Sequence, residues 1–129
     1  MADRPVPQAT RQIAEANAGV RLRLPFADTE DFDDARRGLA GSLSDAVIRA
    51  TDGRVVWDVD AYGFLDAECP ETVNPSLWRQ GQLNAIAGLF EVTEGIYRVR
   101  GLDLSKMTIV EGDADVPISA GREGRLSRG

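Results

Sequence analysis

The run Leu89-Phe90-Glu91-Val92, Thr93-Glu94-Gly95, Ile96-Tyr97-Arg98-Val99-Arg100 changes the period of the chain. Ahead of Gly88 apolar residues recur at helical spacing. From Leu89 onward they alternate in twos, the mark of half-buried strands, and the turn at Thr93 to Gly95 joins the two arms into a hairpin. Gly101-Leu102-Asp103-Leu104-Ser105 is a connection, and Lys106-Met107-Thr108-Ile109-Val110 reads as another strand. Glu111-Gly112-Asp113 is a tight-turn signal that ordinarily leads into one more apolar strand. Asp113 to Gly129, however, offers only Val116-Pro117-Ile118 among Gly, Ser, Ala and Arg, so a disordered tail is expected there.

Upstream of the hairpin, Asn74-Pro75 opens a helix: Asn caps, and Pro suits a first turn whose N–H groups lack partners anyway. This helix is expected from Ser76 to Ala87, stopping at Gly88, with Leu77, Trp78, Ala85, Ile86 and Leu89 giving it an apolar side. Residues 66–72 form a loop. Further back, Ala46-Val47-Ile48-Arg49-Ala50 and Arg54-Val55-Val56-Trp57-Asp58 flank Thr51-Asp52-Gly53, and Asp-Gly between two β-prone runs predicts a second hairpin. Asp28 to Leu39 reads as a helix capped by Asp28 or Thr29, with acids in its first turn where the helix dipole favours them and Phe32, Ala35 and Leu39 on one face. Val20-Arg21-Leu22-Arg23-Leu24 alternates and is expected to be extended up to Pro25. A short helix from Thr10 to Ala18 ends at Gly19, and Met1 to Gln8 is a loose arm.

Composition narrows the chemistry. The chain has 129 residues and a formal net charge of −6, which repels phosphate backbones and anionic lipid heads, so neither nucleic acid nor a membrane surface is an expected partner. Hydrophobic residues are 43% of the chain and concentrate between Val47 and Val110, which shrinks the effective core. Histidine is absent. Its absence removes Ser-His-Asp and Cys-His nucleophilic systems and the commonest zinc ligand sets. Cys69 is the single cysteine, so no intramolecular disulfide forms, and with no base to generate thiolate it reads as an unreactive thiol. No apolar segment follows the N-terminal charges and no stretch is long enough to span a bilayer, so a soluble cytoplasmic chain is expected.

Other candidates reduce to structure. The acids after Asp28 fail as a calcium loop, because Asp33 stands where that loop needs glycine and Leu39 where it needs a bidentate glutamate. Asp58 and Asp60 would share one face of a continuing strand, but a D-x-D pair without histidine or a third acid is better read as facing water. Trp78 sits at core spacing. Arg122, Arg125 and Arg128, spaced by glycine, are a weak signal for RNA. Asn74-Pro75-Ser76 is disqualified as a glycosylation site by its proline.

Several runs taken in order carry a resemblance. Leu24-Pro25-Phe26-Ala27-Asp28, Asp31-Phe32-Asp33-Asp34-Ala35-Arg36-Arg37-Gly38 and Gly53-Arg54-Val55-Val56-Trp57-Asp58 come first. Asn74-Pro75-Ser76-Leu77-Trp78-Arg79-Gln80, Gly88-Leu89-Phe90-Glu91-Val92-Thr93, Gly95-Ile96-Tyr97-Arg98-Val99-Arg100-Gly101, Asp103-Leu104-Ser105 and Thr108-Ile109-Val110-Glu111-Gly112-Asp113 follow. Together, from about Leu24 to Asp113, they resemble the opening of the zinc-dependent alkylsulfatases of the metallo-β-lactamase superfamily. The resemblance implies a parent enzyme with an αββα catalytic domain and two zinc ions, which cleaves long-chain alkyl sulfates to alcohol and sulfate. In that family zinc lowers the pKa of its bound water. It also implies that the zinc ligands come from a later Thr-His-x-His-x-Asp-His run, of which this sequence has no part. Ala87 stands where the family often carries histidine, and Lys106 where it often carries asparagine.

The expected architecture is therefore α+β, with two or three helices, two β-hairpins and disordered termini. Residues 1–23 would be an arm and short helix, and 24–88 a leading segment. Residues 89–112 would be the first strands of a metallo-β-lactamase-like domain, and 113–129 a tail. The collapse of the family pattern after Asp113 leads to the expectation of a truncated or frameshifted reading frame. No catalytic, cofactor-binding or metal residue is assigned in this chain, and an alkyl sulfate substrate belongs only to a full-length parent. The alternatives are a non-catalytic interaction module that self-associates through unpaired strands and, last, a carboxylate enzyme built on Asp58 and Asp60.

Overall fold

The computed structural model describes residues 7–43, 47–103, 105–114 and 118–120, the last three as backbone. Its architecture is α+β. The elements run α1 (Arg11–Arg23), α2 (Glu30–Arg36), β1 (Leu39–Gly41), β2 (Val47–Arg49), β3 (Val55–Asp58), a 3₁₀ helix (Asp60–Asp66), α3 (Pro75–Asn84), β4 (Gly88–Thr93), β5 (Ile96–Arg100), β6 (Met107–Val110) and β7 (Ile118–Ala120). One antiparallel sheet has the order β1-β4-β5-β6-β7, and β2-β3 forms a second, two-stranded sheet.

Both predicted hairpins form. In the first, Val47 faces Asp58 and Ile48 faces Trp57 across the Asp52-Gly53 turn. In the second, Leu89 pairs with Val99 and Glu91 with Tyr97, and the meander continues with Tyr97 against Ile109. The tail departs from expectation. Ile118 to Ala120, read as part of a disordered segment, lies antiparallel to Met107–Ile109, because β6 leaves an unpaired row of N–H and C=O groups that even a Ser- and Ala-bearing backbone satisfies. Residues 1–6 of the expected arm, and residues 115–117 and 121–129 of the expected tail, with Arg122, Arg125 and Arg128, lie outside the described residues.

The helices also shift their limits. The first runs straight through Gly19 and takes in Val20 to Arg23, which the alternation predicted as extended. A mid-helix glycine costs about 1 kcal/mol, and four local or tertiary ties oppose that cost. Thr10 Oγ1 accepts from Ile13 N, Arg11 pairs with Glu15 at 2.7 Å, Asn17 Nδ2 donates to the Glu71 carbonyl at 2.7 Å, and Arg21 Nη2 donates to the Cys69 carbonyl. Leu24, restricted by the following Pro25, is extended and ends the helix. In α2 the Asp28 carboxylate accepts from Glu30 N, and the helix stops at Arg36. Leu39 therefore leaves the face it was expected to share with Phe32 and Ala35 and enters β1. The reason is Gly38, whose φ of 76° reverses the chain and whose carbonyl accepts from Glu91 N at 2.7 Å. A Cβ there would overlap the Glu91 carbonyl oxygen, so only glycine brings β1 against β4. In α3, Asn74 caps and Pro75 begins the helix as predicted, but it ends at Asn84, and Gly88 is the first residue of β4.

Packing is thin. Among the described hydrophobic residues only Leu65 and Phe90 are buried. Leu65 sits under α3: a Cβ on Gly81 would lie 3.2 Å from its side chain, and Gln82 Nε2 donates to its carbonyl at 2.9 Å. Phe90 lies under the Arg100 guanidinium, 3.7 Å from ring centroid to Cζ.

Candidate functional site

The residues singled out by sequence serve the local backbone. Asp58 ends β3, and its carboxylate accepts from Ala61 N at 3.1 Å, so it caps the 3₁₀ helix that Asp60 begins. The strand does not continue to Asp60, and the shared face expected of the two acids does not exist. Trp78 donates its indole N–H to the Ala67 carbonyl at 3.3 Å and meets Phe64 edge-on at 5.8 Å. The half-buried Cys69 thiol donates to the carbonyls of Pro70 and Val73, at 3.6 and 3.5 Å. Burial pushes this thiol above its ordinary pKa while the nearby Arg21 pulls it back, so it is not a thiolate at neutral pH.

Two arginines that sequence reasoning passed over tie the molecule together. Arg79, on α3, donates to the carbonyls of Phe26 at 3.3 Å and Asp28 at 2.5 Å, pairs with Asp31 at 3.5 Å and lies over the Phe32 ring at 5.0 Å. It clamps the 25–28 turn and α2 to α3. Arg100 Nη2, on β5, donates to the Ala35 carbonyl at 2.6 Å, which joins the sheet to the end of α2. Its Nε is buried without an acceptor among the described residues, as is Trp57 Nε1. Burial, with some repulsion from Arg98, lowers the Arg100 pKa. The sequence signal for either role was slight, since their partners lie 51–65 positions away.

A cavity of about 560 Å³ lies between the first hairpin, the end of α3 and the β5–β6 connection. Trp57, Tyr62, Phe64, Leu83 and Ile86 line it, with Arg100 and Lys106 nearby. A smaller one of about 250 Å³ surrounds Arg79. On the sheet, Tyr97 is set among carboxylates, and Glu111 and then Glu91 hold its phenol above the usual range, so it stays protonated at neutral pH. Among the described residues no three His, Cys, Asp or Glu side chains gather as a metal site, and no helix is long and apolar enough to cross a membrane.

Such an arrangement defines a class before it defines a relative: an α+β scaffold whose strongest polar side chains join one element to the next. No protein-family model matches the chain. Individual proteins do. It is 57% identical over 105 residues to an alkyl/aryl-sulfatase of Saccharomyces cerevisiae, and 56% identical over 107 residues to an (R)-specific secondary-alkylsulfatase of a Pseudomonas species. A linear primary-alkylsulfatase of Pseudomonas is 47% identical over 112 residues. These matches take in 81–85% of this chain but only 16–17% of the relatives. The solved structure of the stereoselective inverting secondary alkylsulfatase Pisa1 from Pseudomonas superposes with a TM-score of 0.81 at 52% identity, over 87% of this chain and 18% of that one. The chain is alkylsulfatase sequence, and corresponds to a segment of those longer proteins.

Proposed function

We propose that this chain is the leading segment of an alkylsulfatase, a scaffold that supplies the first strands and supporting helices of a catalytic domain and none of its reacting groups. The observation that carries the reading is the match itself, 47–57% identity over more than four fifths of this chain but 16–17% of each relative. In this reading residues 24–88 lead into the sheet and 89–112 begin a metallo-β-lactamase-like fold. Since β1, from the earlier part, already pairs with β4, the two parts fold as one unit. The whole enzyme would hydrolyse long-chain alkyl sulfates to alcohol and sulfate, in a cytoplasmic setting that suits an unpaired thiol.

The two zinc ions that the family implies do not fit this chain. It has no histidine, and the described Asp58 and Cys69 are engaged with backbone groups. In the proposed enzyme the ligands come from sequence outside the segment.

A chimera tests the reading. The matched residues of the (R)-specific secondary-alkylsulfatase are replaced by those of this chain, and turnover of its alkyl sulfate substrates is measured. The expected result is a folded, active chimera, while the chain alone with added zinc and dodecyl sulfate shows no turnover above buffer. An unfolded or inactive chimera, or turnover by the chain alone, would overturn it. The alternative of a self-associating module draws on the short outer strands β1 and β7, beyond which no further strand pairs among the described residues. A discrete, reproducible oligomer in light scattering would favour that alternative.

A further inference from the structure

The hairpin β2–β3 is the least supported element of the molecule. Among the described residues its strands pair only with each other, and a two-stranded hairpin is marginal in water unless something packs on it. Yet Val55, on the face of β3 that carries Trp57, is 43% exposed, and Tyr62 and Phe64, on the 3₁₀ helix that follows, are 41% and 59% exposed. Tyr62 and Phe64 also line the cavity of about 560 Å³, together with Trp57, Leu83 and Ile86. An exposed apolar surface that runs into a cavity marks an interaction site rather than a scatter of surface residues.

The length of the relatives says what covers it. Pisa1 holds the same backbone arrangement, and the matched part is 18% of its chain. More than four fifths of such a protein therefore lies outside the match. A second copy of this chain is the weaker occupant, because two chains of net charge −6 repel each other. We infer that the Val55 and Trp57 face of β3, the 3₁₀ helix and the adjoining cavity are the seat of the alkylsulfatase polypeptide beyond this segment, which enters with an apolar stretch. The inference rests on the proposed function and adds to it the surface through which the segment joins the rest.

The test places Val55→Glu in two contexts, the isolated chain and the chimera described above. Val55 is 43% exposed in the isolated chain, so the far-UV circular dichroism and thermal transition of that chain stay nearly unchanged. In the chimera the same change puts a carboxylate into a covered apolar contact and lowers Tm by about 5 °C or more. Amide hydrogen exchange across residues 55–65 is correspondingly slower in the unsubstituted chimera than in the isolated chain. Equal exchange in the two contexts, an unchanged Tm in the substituted chimera, or unfolding of the substituted isolated chain would each overturn the inference and leave the proposed function standing. Concentration-dependent protection of residues 55–65 in the isolated chain would assign the surface to a second copy and overturn it too. Failure of the unsubstituted chimera would remove the proposed function and the inference with it.

Discussion

Arg79 shows how much of this fold rests on single side chains. With few apolar residues buried, one guanidinium that serves two backbone carbonyls, a carboxylate and a ring holds three segments in place. Arg79→Met keeps the aliphatic stem and removes the donors, so urea unfolding of the isolated chain should show a loss of about 2 kcal/mol. Leu22→Ser, at a position 89% exposed, should leave stability nearly unchanged in the same measurement. Cys69 gives a pH-dependent expectation. Burial raises the folded-state pKa of its thiol above the unfolded value, so its contribution to stability is complete below the unfolded pKa. That contribution is lost as pH climbs through the folded pKa in the alkaline range. Wild type should therefore lose more stability than Cys69→Ser between neutral and alkaline pH, and iodoacetamide should label the native thiol more slowly than the urea-unfolded one at pH 8. Both arginines and the cysteine act on carbonyls remote in sequence or set by a loop, which is why residue-by-residue reading found no role for the former and only a negative one for the latter.

At the level of elements, local chemistry was most informative where the signal was steric. Asn74-Pro75 places the start of α3 within one residue of that expected, since one side chain caps Ser76 N at 2.9 Å and the other needs no donor. Asn74→Ala should cost about 1 kcal/mol by thermal or urea unfolding. The Asp52-Gly53 turn and the change of period at Gly88 were equally legible. Where elements ended elsewhere than expected, a tertiary contact had intervened. Gly19 was read as a stop, and α1 passes through it because Asn17 and Arg21 dock on the 69–71 loop. Leu39 was read as helical, and it turns into β1 because Gly38 lets the backbone approach Glu91. Gly38→Ala should destabilise the chain by about 2 kcal/mol or more, as it combines a positive φ with a backbone clash.

On the scale of the whole molecule, Leu22, Phe64, Leu77 and Val92 are each more than half exposed, so apolar area is left uncovered. An environment-sensitive dye such as 1-anilinonaphthalene-8-sulfonate should bind the isolated chain strongly and the chimera weakly, and equal fluorescence per segment would count against the scaffold reading. The sequence by itself determined the α+β class, both hairpins, the onset of α3 and the kinship with alkylsulfatases, because periodicity, turn chemistry and caps act over a few residues and leave their mark in the order of the letters. It also determined the want of histidine. Only the tertiary structure decided that β1 and β7 complete the sheet, that Asp58 caps a 3₁₀ helix, and that Arg79 and Arg100 bind the layers. The β1–β4 pairing and the two arginine contacts join groups about 50 positions apart or more, and no local pattern encodes which distant segment will satisfy them.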